Sequence, residues 1–267
     1  MNDNRPIGIF DSGLGGLTVV NTMAKMLPNE SFIYVGDTAR VPYGNKNKET
    51  LKSYASQIVR FLQNKDVKAI IVACGTISSN VMDDLWEAFD LPIIDVVRPG
   101  IEACLQLCKE QNKKRVGIIA TEATIKSGFF QKVLKEKNPS LDVEAKACPL
   151  FVPLIEEGWT NNAVITQVAN AYMRDWQINP IDALILGCTH YPLLAPLFKQ
   201  ILGDAAQIDM SAATLQTTLK YLTENNMLKT SSEITSAFYV SGDVKKFNKM
   251  SQQITNMPIS AHKVIWE

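Results

Sequence analysis

The chain has 267 residues, 46% hydrophobic and 20% charged, enough for one large core or for two domains of about 100 to 150 residues. Its 27 basic residues balance 27 acidic ones, so no global field draws it to nucleic acid or to an anionic membrane, and neither is expected as a partner. No stretch approaches the about 20 apolar residues of a transmembrane helix, and five scattered cysteines do not make a disulfide framework, which suits free thiols in a reducing cytoplasm.

The first residues, Met1-Asn2-Asp3-Asn4-Arg5-Pro6, run into a short strand without the apolar segment of a secretion signal. Strands are expected at 7–10, 32–35, 69–73 and 93–96, alternating with helices at 17–26, 49–63 and 81–89. Such βα alternation predicts a parallel sheet covered by helices. The pattern pauses at Arg98-Pro99-Gly100, and a helix at 101–111 opens a second series, with strands at 116–120, 143–147 and 183–186 and helices at 127–136 and 163–176. A final helix at 212–222 and strand-like runs at 237–240 and 264–266 are too little for a third domain and are expected to complete the first. The fold class is therefore α/β: two similar lobes, 1–98 plus 209–267 and 99–208, with the active site in the cleft between them.

The two series echo one another. One buried-strand pattern, Ala69-Ile70-Ile71-Val72-Ala73, ends in Cys74-Gly75-Thr76, and another, Ala183-Leu184-Ile185-Leu186-Gly187, ends in Cys188-Thr189-His190. The cysteines are offset by 114 residues, and Gly8 and Gly117, in the opening strand of each series, by 109. Near-equal offsets fit a diverged duplication, with each thiol where a strand ends, the place at which open α/β sheets bind ligands.

Several loops on that rim could carry chemistry. Asp11-Ser12-Gly13-Leu14-Gly15-Gly16 lacks the G-x-G-x-x-G spacing of a dinucleotide site; it is either a tight capped turn or a backbone cradle for an anion. Pro42-Tyr43-Gly44 is a turn that would also provide an aromatic wall and a close backbone donor. Cys74 and Cys188 are either inert core thiols or, since each ends a strand and is expected to precede a helix, thiols whose ionisation the helix dipole promotes, with Asp11 and His190 placed to handle protons. Glu156 and Glu157 lie in a loop after the strand at 143–147, reaching the cleft or solvated. Cys104 and Cys108 read as core residues one helical turn apart, and Cys148 has no evident partner. With two histidines, His190 and His262, and no Cys-x-x-Cys, no metal site is expected.

Taken together, Asp11-Ser12-Gly13-Leu14-Gly15-Gly16, Pro42-Tyr43-Gly44, Cys148-Pro149 with Glu156, and Gly187-Cys188-Thr189-His190-Tyr191-Pro192-Leu193-Leu194 resemble the glutamate racemases of the cofactor-independent aspartate/glutamate racemase family. The likeness runs in order over residues 7–209, and His190 favours glutamate, since the related aspartate racemases usually carry glutamate at that place. It departs at the first cysteine, where the family usually reads Cys-Asn-Thr and this chain has Cys74-Gly75-Thr76. The resemblance implies an isomerase that needs no cofactor and supplies D-glutamate for peptidoglycan in the cytoplasm, in a family whose members are commonly homodimers. Racemisation takes a proton from one face of the α-carbon and returns one to the other, which two opposed thiols can do. The resemblance assigns Cys74 to D-glutamate and Cys188 to L-glutamate, with Asp11 assisting the first and His190 with Glu156 the second. Asp11, Ser12, Tyr43, Gly44, Gly75, Thr76, Thr189 and His190 would hold the substrate. Aspartate racemisation, another two-cysteine reaction on a diacid, or a glutamate-binding regulator without turnover are the alternatives.

Overall fold

The computed structural model describes residues 3–231 and 233–266, so Met1 and Asn2 of the expected start lie outside the described residues. Among the described residues the strands are β1 Ile7–Asp11, β2 Phe32–Gly36, β3 Ala69–Val72, β4 Ile93–Asp95, β5 Arg115–Ala120, β6 Asp142–Ala147, β7 Ala183–Leu186, β8 Ala206–Ile208, β9 Ser236–Val240 and β10 Ala261–Lys263. They form two sheets, ordered β10-β9-β2-β1-β3-β4 and β6-β5-β7-β8, in which every pairing is parallel. The central runs β1, β3 and β7 are buried along their whole length, as expected of strands covered by helices on both faces.

The order β2-β1-β3-β4 in one sheet is the order β6-β5-β7-β8 in the other. Gly8 of β1 stands opposite Ile70 of β3, and Gly117 of β5 opposite Leu184 of β7. Those are the pairs related by offsets of 109 and 114 residues, so the echo in the sequence is the register of the sheets. Cys74 and Cys188 each follow two residues after the end of the equivalent strand. The final segment joins the first sheet, where β9 pairs with β2 and β10 with β9. One continuous apolar core holds Ile7 and Ile9 of β1, Val116 and Ile118 of β5, and Ile101, Cys104 and Cys108 of the helix Val97–Glu110 between them. The two sheets thus share buried surface as well as a cleft. No helix among the described residues is long and apolar enough to cross a membrane.

Local chemistry moves several element boundaries. The expected pause at Arg98-Pro99-Gly100 is helix: Val97–Glu110 starts there because Asp95 Oδ1 accepts from the Val97 and Arg98 amides at 2.8 and 2.9 Å, and Pro99 falls in the first turn, where a missing N–H costs nothing. The helix expected at 81–89 is Met82–Ala88, and a further short helix, Gly75–Asn80, precedes it across Val81. That at 127–136 is Phe129–Lys137, and a further short helix, Glu122–Lys126, precedes it, with Gly128 at φ 66° between the two. The run 264–266 is not a strand: the Val264 amide makes one more ladder bond to the Val240 carbonyl at 2.9 Å, and Trp266 then leaves the edge to reach Asp37.

Candidate active site

The loops at the C-terminal ends of β1, β2, β3, β5 and β7 converge on one small cavity between the sheets. Its walls are Ser12, Val41, Pro42, Tyr43, Gly44, Cys74, Gly75, Thr76, Thr121, Val152, Cys188, Thr189 and His190. Of the residues expected at the site, only Asp11 and Glu156 are missing from this lining, and both stand directly behind it. The cavity is about 20 Å³, room for about one water molecule.

The fit between lobes is tight at two glycines. A β-carbon on Gly15 would lie 2.4 Å from His190 Nδ1 and from Thr189 Oγ1, so the loop after β1 packs directly on the second-lobe motif. A β-carbon on Gly75 would lie 2.4 Å from the carbonyl oxygen of Gly187, the residue before the other thiol. In this structure a side chain at position 75 would press on the Gly187 carbonyl and force one of the two cysteine loops to shift.

Around Cys74 burial opposes ionisation. The residue caps the helix Gly75–Asn80, and the Ile77 amide and Ser12 hydroxyl point at the sulfur and favour thiolate. Burial outweighs them, the negative charge of Asp11 adds to it, and the thiol is pushed up to about 12. The expected activation by the helix dipole is thus overridden by burial. Asp11 makes its strong hydrogen bond elsewhere, accepting from the Gly16 amide at 2.7 Å and closing its own loop, with Thr189 Oγ1 at 3.4 Å from the second lobe.

Around Cys188 the arrangement differs. The expected helix does not follow this thiol; Thr189 and His190 form a turn, Tyr191–Leu194 is a 3₁₀ segment containing Pro192, and the α-helix begins only at Ala195. In place of a helix end, His190 Nδ1 lies 3.7 Å from Cys188 Sγ, and His190 Nε2 lies 3.0 Å from Glu156 Oε1. Burial works against a charged His190, but Cys188 and Glu156 on either side of the ring raise it well above the ordinary histidine value. Glu156 is held below the usual carboxylate range, since the His190 contact outweighs its burial. Glu156 ends the helix Phe151–Glu156 and does not sit in a loop as expected; that helix packs through Phe151, which meets Tyr191 edge-on. Cys148, without an expected partner, accepts the Tyr191 hydroxyl on its carbonyl at 2.9 Å.

Hydroxyls bridge the lobes on the far side of the thiols. Thr76 Oγ1 is 2.9 Å from Thr121 Oγ1, which is 2.9 Å from Thr124 Oγ1. Thr121 was not singled out in the sequence, yet the offset of 109 residues that relates Gly8 to Gly117 carries Ser12 onto Thr121. The internal repeat was the signal for it. Tyr43 is buried, and burial with the adjacent Asp37 charge keeps its phenol protonated well above the ordinary value, so it donates to Asp37.

A family model described as Asp/Glu/Hydantoin racemase matches residues 7–218. The chain belongs to this family. Among its relatives, the glutamate racemase 2 of Caldanaerobacter subterraneus subsp. tengcongensis is 39% identical over 96% of both chains. A crystal structure of glutamate racemase from Francisella tularensis, in complex with D-glutamate, superposes with a TM-score of 0.89 at 39% identity, covering 99% of this chain and 98% of that one. The glutamate racemase isoform RacE1 of Bacillus anthracis reaches a TM-score of 0.93 at 34% identity over the same shares. This racemase thus has the two-sheet architecture of those structures, and its paired thiols sit at the cleft between the sheets.

Proposed function

We propose that this racemase interconverts L- and D-glutamate by proton transfer between Cys74, Cys188 and opposite faces of the α-carbon, without a cofactor. The observation that carries the reading is one small cavity lined by two thiols at equivalent strand ends, Cys188 beside His190 and Cys74 under the charge of Asp11. The family, and glutamate racemases of 39% identity along nearly the whole chain, support glutamate as the substrate.

In the L-to-D direction Cys188 thiolate takes the α-proton; the C–H electron pair stays on the α-carbon, and the Cys74 thiol gives its proton to the other face. Cys74, pushed up to about 12, suits the donor's part. The reverse reaction starts from Cys74 thiolate and Cys188 thiol. His190, between Cys188 and Glu156, holds and returns the proton on the second side, and Glu156 orients the ring. Asp11 shapes the glycine loop and biases Cys74 by its charge. Ser12, Thr76 and Thr189, with Tyr43 and the Gly44 and Gly75 amides, line the space for the carboxylates and ammonium. The carbanion is stabilised by this fixed polar frame once the lobes close and water is excluded.

The lobes divide at 1–98 plus 209–267 and 99–208, and the product is D-glutamate for peptidoglycan, hence for cell-wall biogenesis and cell shape, made in the cytoplasm by an enzyme that pairs as a homodimer. The test is purified protein with no added cofactor in deuterated buffer: L-glutamate should yield D-glutamate carrying α-deuterium, and D-glutamate the converse. Undiminished racemisation by both Cys74→Ala and Cys188→Ala would overturn the two-thiol mechanism. Turnover of aspartate in preference to glutamate would overturn the substrate.

A further inference from the structure

Behind the first-lobe wall of the cavity, Asp37 follows β2 and is fully buried. Its carboxylate accepts from four groups, two from its own loop and two from parts of the chain more than 200 residues away. Oδ2 takes the Tyr43 hydroxyl and Arg40 Nε, the latter at 2.6 Å. Oδ1 takes the Ser241 hydroxyl at 2.6 Å and the Trp266 indole N–H at 2.7 Å. Four donors fill the acceptor capacity of a carboxylate. Trp266 is more than a cover for this cluster. Its ring meets Phe61 edge-on at 6.0 Å, and the Arg40 guanidinium lies between it, at 5.1 Å, and the Tyr54 ring, at 3.9 Å. Of its neighbours, Ile265 is 79% exposed and Val264 is buried, so the segment turns Val264 and the indole inward.

The network ends at the cavity. Tyr43 lines it, and the next residue, Gly44, is pressed against the second lobe: a β-carbon there would lie 2.7 Å from Thr121 Cβ. We propose that Trp266 is a positioning residue for the substrate pocket, fixing through Asp37 the Tyr43–Gly44 wall on which the second lobe closes. A segment more than 220 residues away in sequence thereby sets the fit of substrate, and it is the reason 264–266 abandons the sheet edge.

This inference rests on the proposed racemisation of glutamate, and Trp266→Phe tests it. Phenylalanine keeps an aromatic ring against Phe61 and Arg40 but has no N–H for Asp37. KM for each enantiomer, and Kd for D-glutamate by calorimetry, should rise about three- to tenfold, the range for coupling through one network. The expected change in kcat is under about twofold. Tm should stay within about 4 °C, one hydrogen bond's worth in a protein of this size. Ser241→Ala, which removes the other donor to Oδ1, should shift KM in the same direction. The double variant Trp266→Phe with Tyr43→Phe should be no worse than the weaker single variant, because both act on one path. Unchanged KM in both Trp266→Phe and Ser241→Ala, a loss of kcat and Tm with KM unmoved, or strict additivity in the double variant overturns the inference alone. A wild-type protein that neither binds nor racemises glutamate overturns the proposed function and this inference with it.

Discussion

The two cysteine loops occupy the same place in two sheets of the same strand order, yet their surroundings are opposite in kind. Cys74 has an acid for a neighbour, a helix N-terminus beneath it and a value pushed up to about 12; Cys188 has no helix end and a histidine–glutamate pair instead. Repetition of the fold fixed where each sulfur sits, while its proton chemistry was set by which residues the other loops bring to it. For a reaction between mirror images that inequality has a definite signature. The enantiomers have equal free energy, so kcat/KM must be the same in both directions, and any asymmetry shows only in kcat and KM taken separately or in isotope effects.

The largest effect should come from removing either sulfur. Cys74→Ala and Cys188→Ala should each lower interconversion at least about 10²- to 10⁴-fold, the usual worth of one positioned acid or base. The comparison would break if one variant kept near-wild-type racemisation, for then a single thiol would serve both faces. Chiral chromatography of the products from each enantiomer reads this directly.

Next in size is the contact that lets the two loops meet. Gly75→Ala places a carbon 2.4 Å from the Gly187 carbonyl oxygen, and backbone atoms cannot rotate away as a side-chain tip can. Overpacking of this kind costs about 1 to 3 kcal/mol, so kcat/KM should fall about ten- to a hundredfold. Because parting the lobes relieves the overlap, activity should suffer more than Tm. Wild-type kcat/KM in this variant would mean that turnover never brings the loops as close as they stand here.

Most of this framework was legible in the residues. Alternating apolar strands and helices gave the α/β class, and the register of β1 on β3 and β5 on β7 is the repeat already visible in the chain. The loops after β1, β2, β3 and β7 were legible because a strand end is where such sheets bind ligands. What stayed hidden depends on contacts between elements remote in sequence. The helical start at Val97 needs Asp95 as a cap in spite of Pro99. The position of Glu156 against His190 needs a short helix that its sequence, with Pro153 inside it, does not announce. The elevation of Cys74 reflects complete burial, which no local pattern reports. Asp37 and Trp266 lie 229 residues apart and carry no motif that joins them.

A smaller effect sharpens the second half of the comparison. Glu156→Gln keeps a hydrogen-bonding group near His190 Nε2 but removes the charge that helps raise the imidazole. A charged hydrogen bond exceeds a neutral one by about 1 kcal/mol, so kcat for L-glutamate should fall about fivefold. The primary isotope effect with α-deuterated L-glutamate should grow while that with α-deuterated D-glutamate changes little. Equal growth in both would show that Glu156 acts on the closed cleft as a whole and not on the Cys188 side.

The smallest expected effect concerns stability and isolates Cys74. A thiol that titrates near 8.5 in the unfolded chain and about 12 in the folded one stays protonated in the native state while the unfolded state ionises. Above pH about 8.5 the unfolded state therefore binds fewer protons than the native state, and stability falls with rising pH until the folded thiol titrates as well. The slope from one such group approaches about 1.4 kcal/mol per pH unit. Serine does not ionise in this range, so Cys74→Ser should flatten the alkaline decline in urea-melt stability between pH 8 and pH 10 by up to that slope. Cys148, also pushed up to about 12 by burial, contributes a decline of its own that the substitution leaves in place. An unchanged slope in Cys74→Ser would mean that the native thiol ionises as readily as the unfolded one. The contrast between a reluctant first thiol and a histidine-served second one would then fail at its first term.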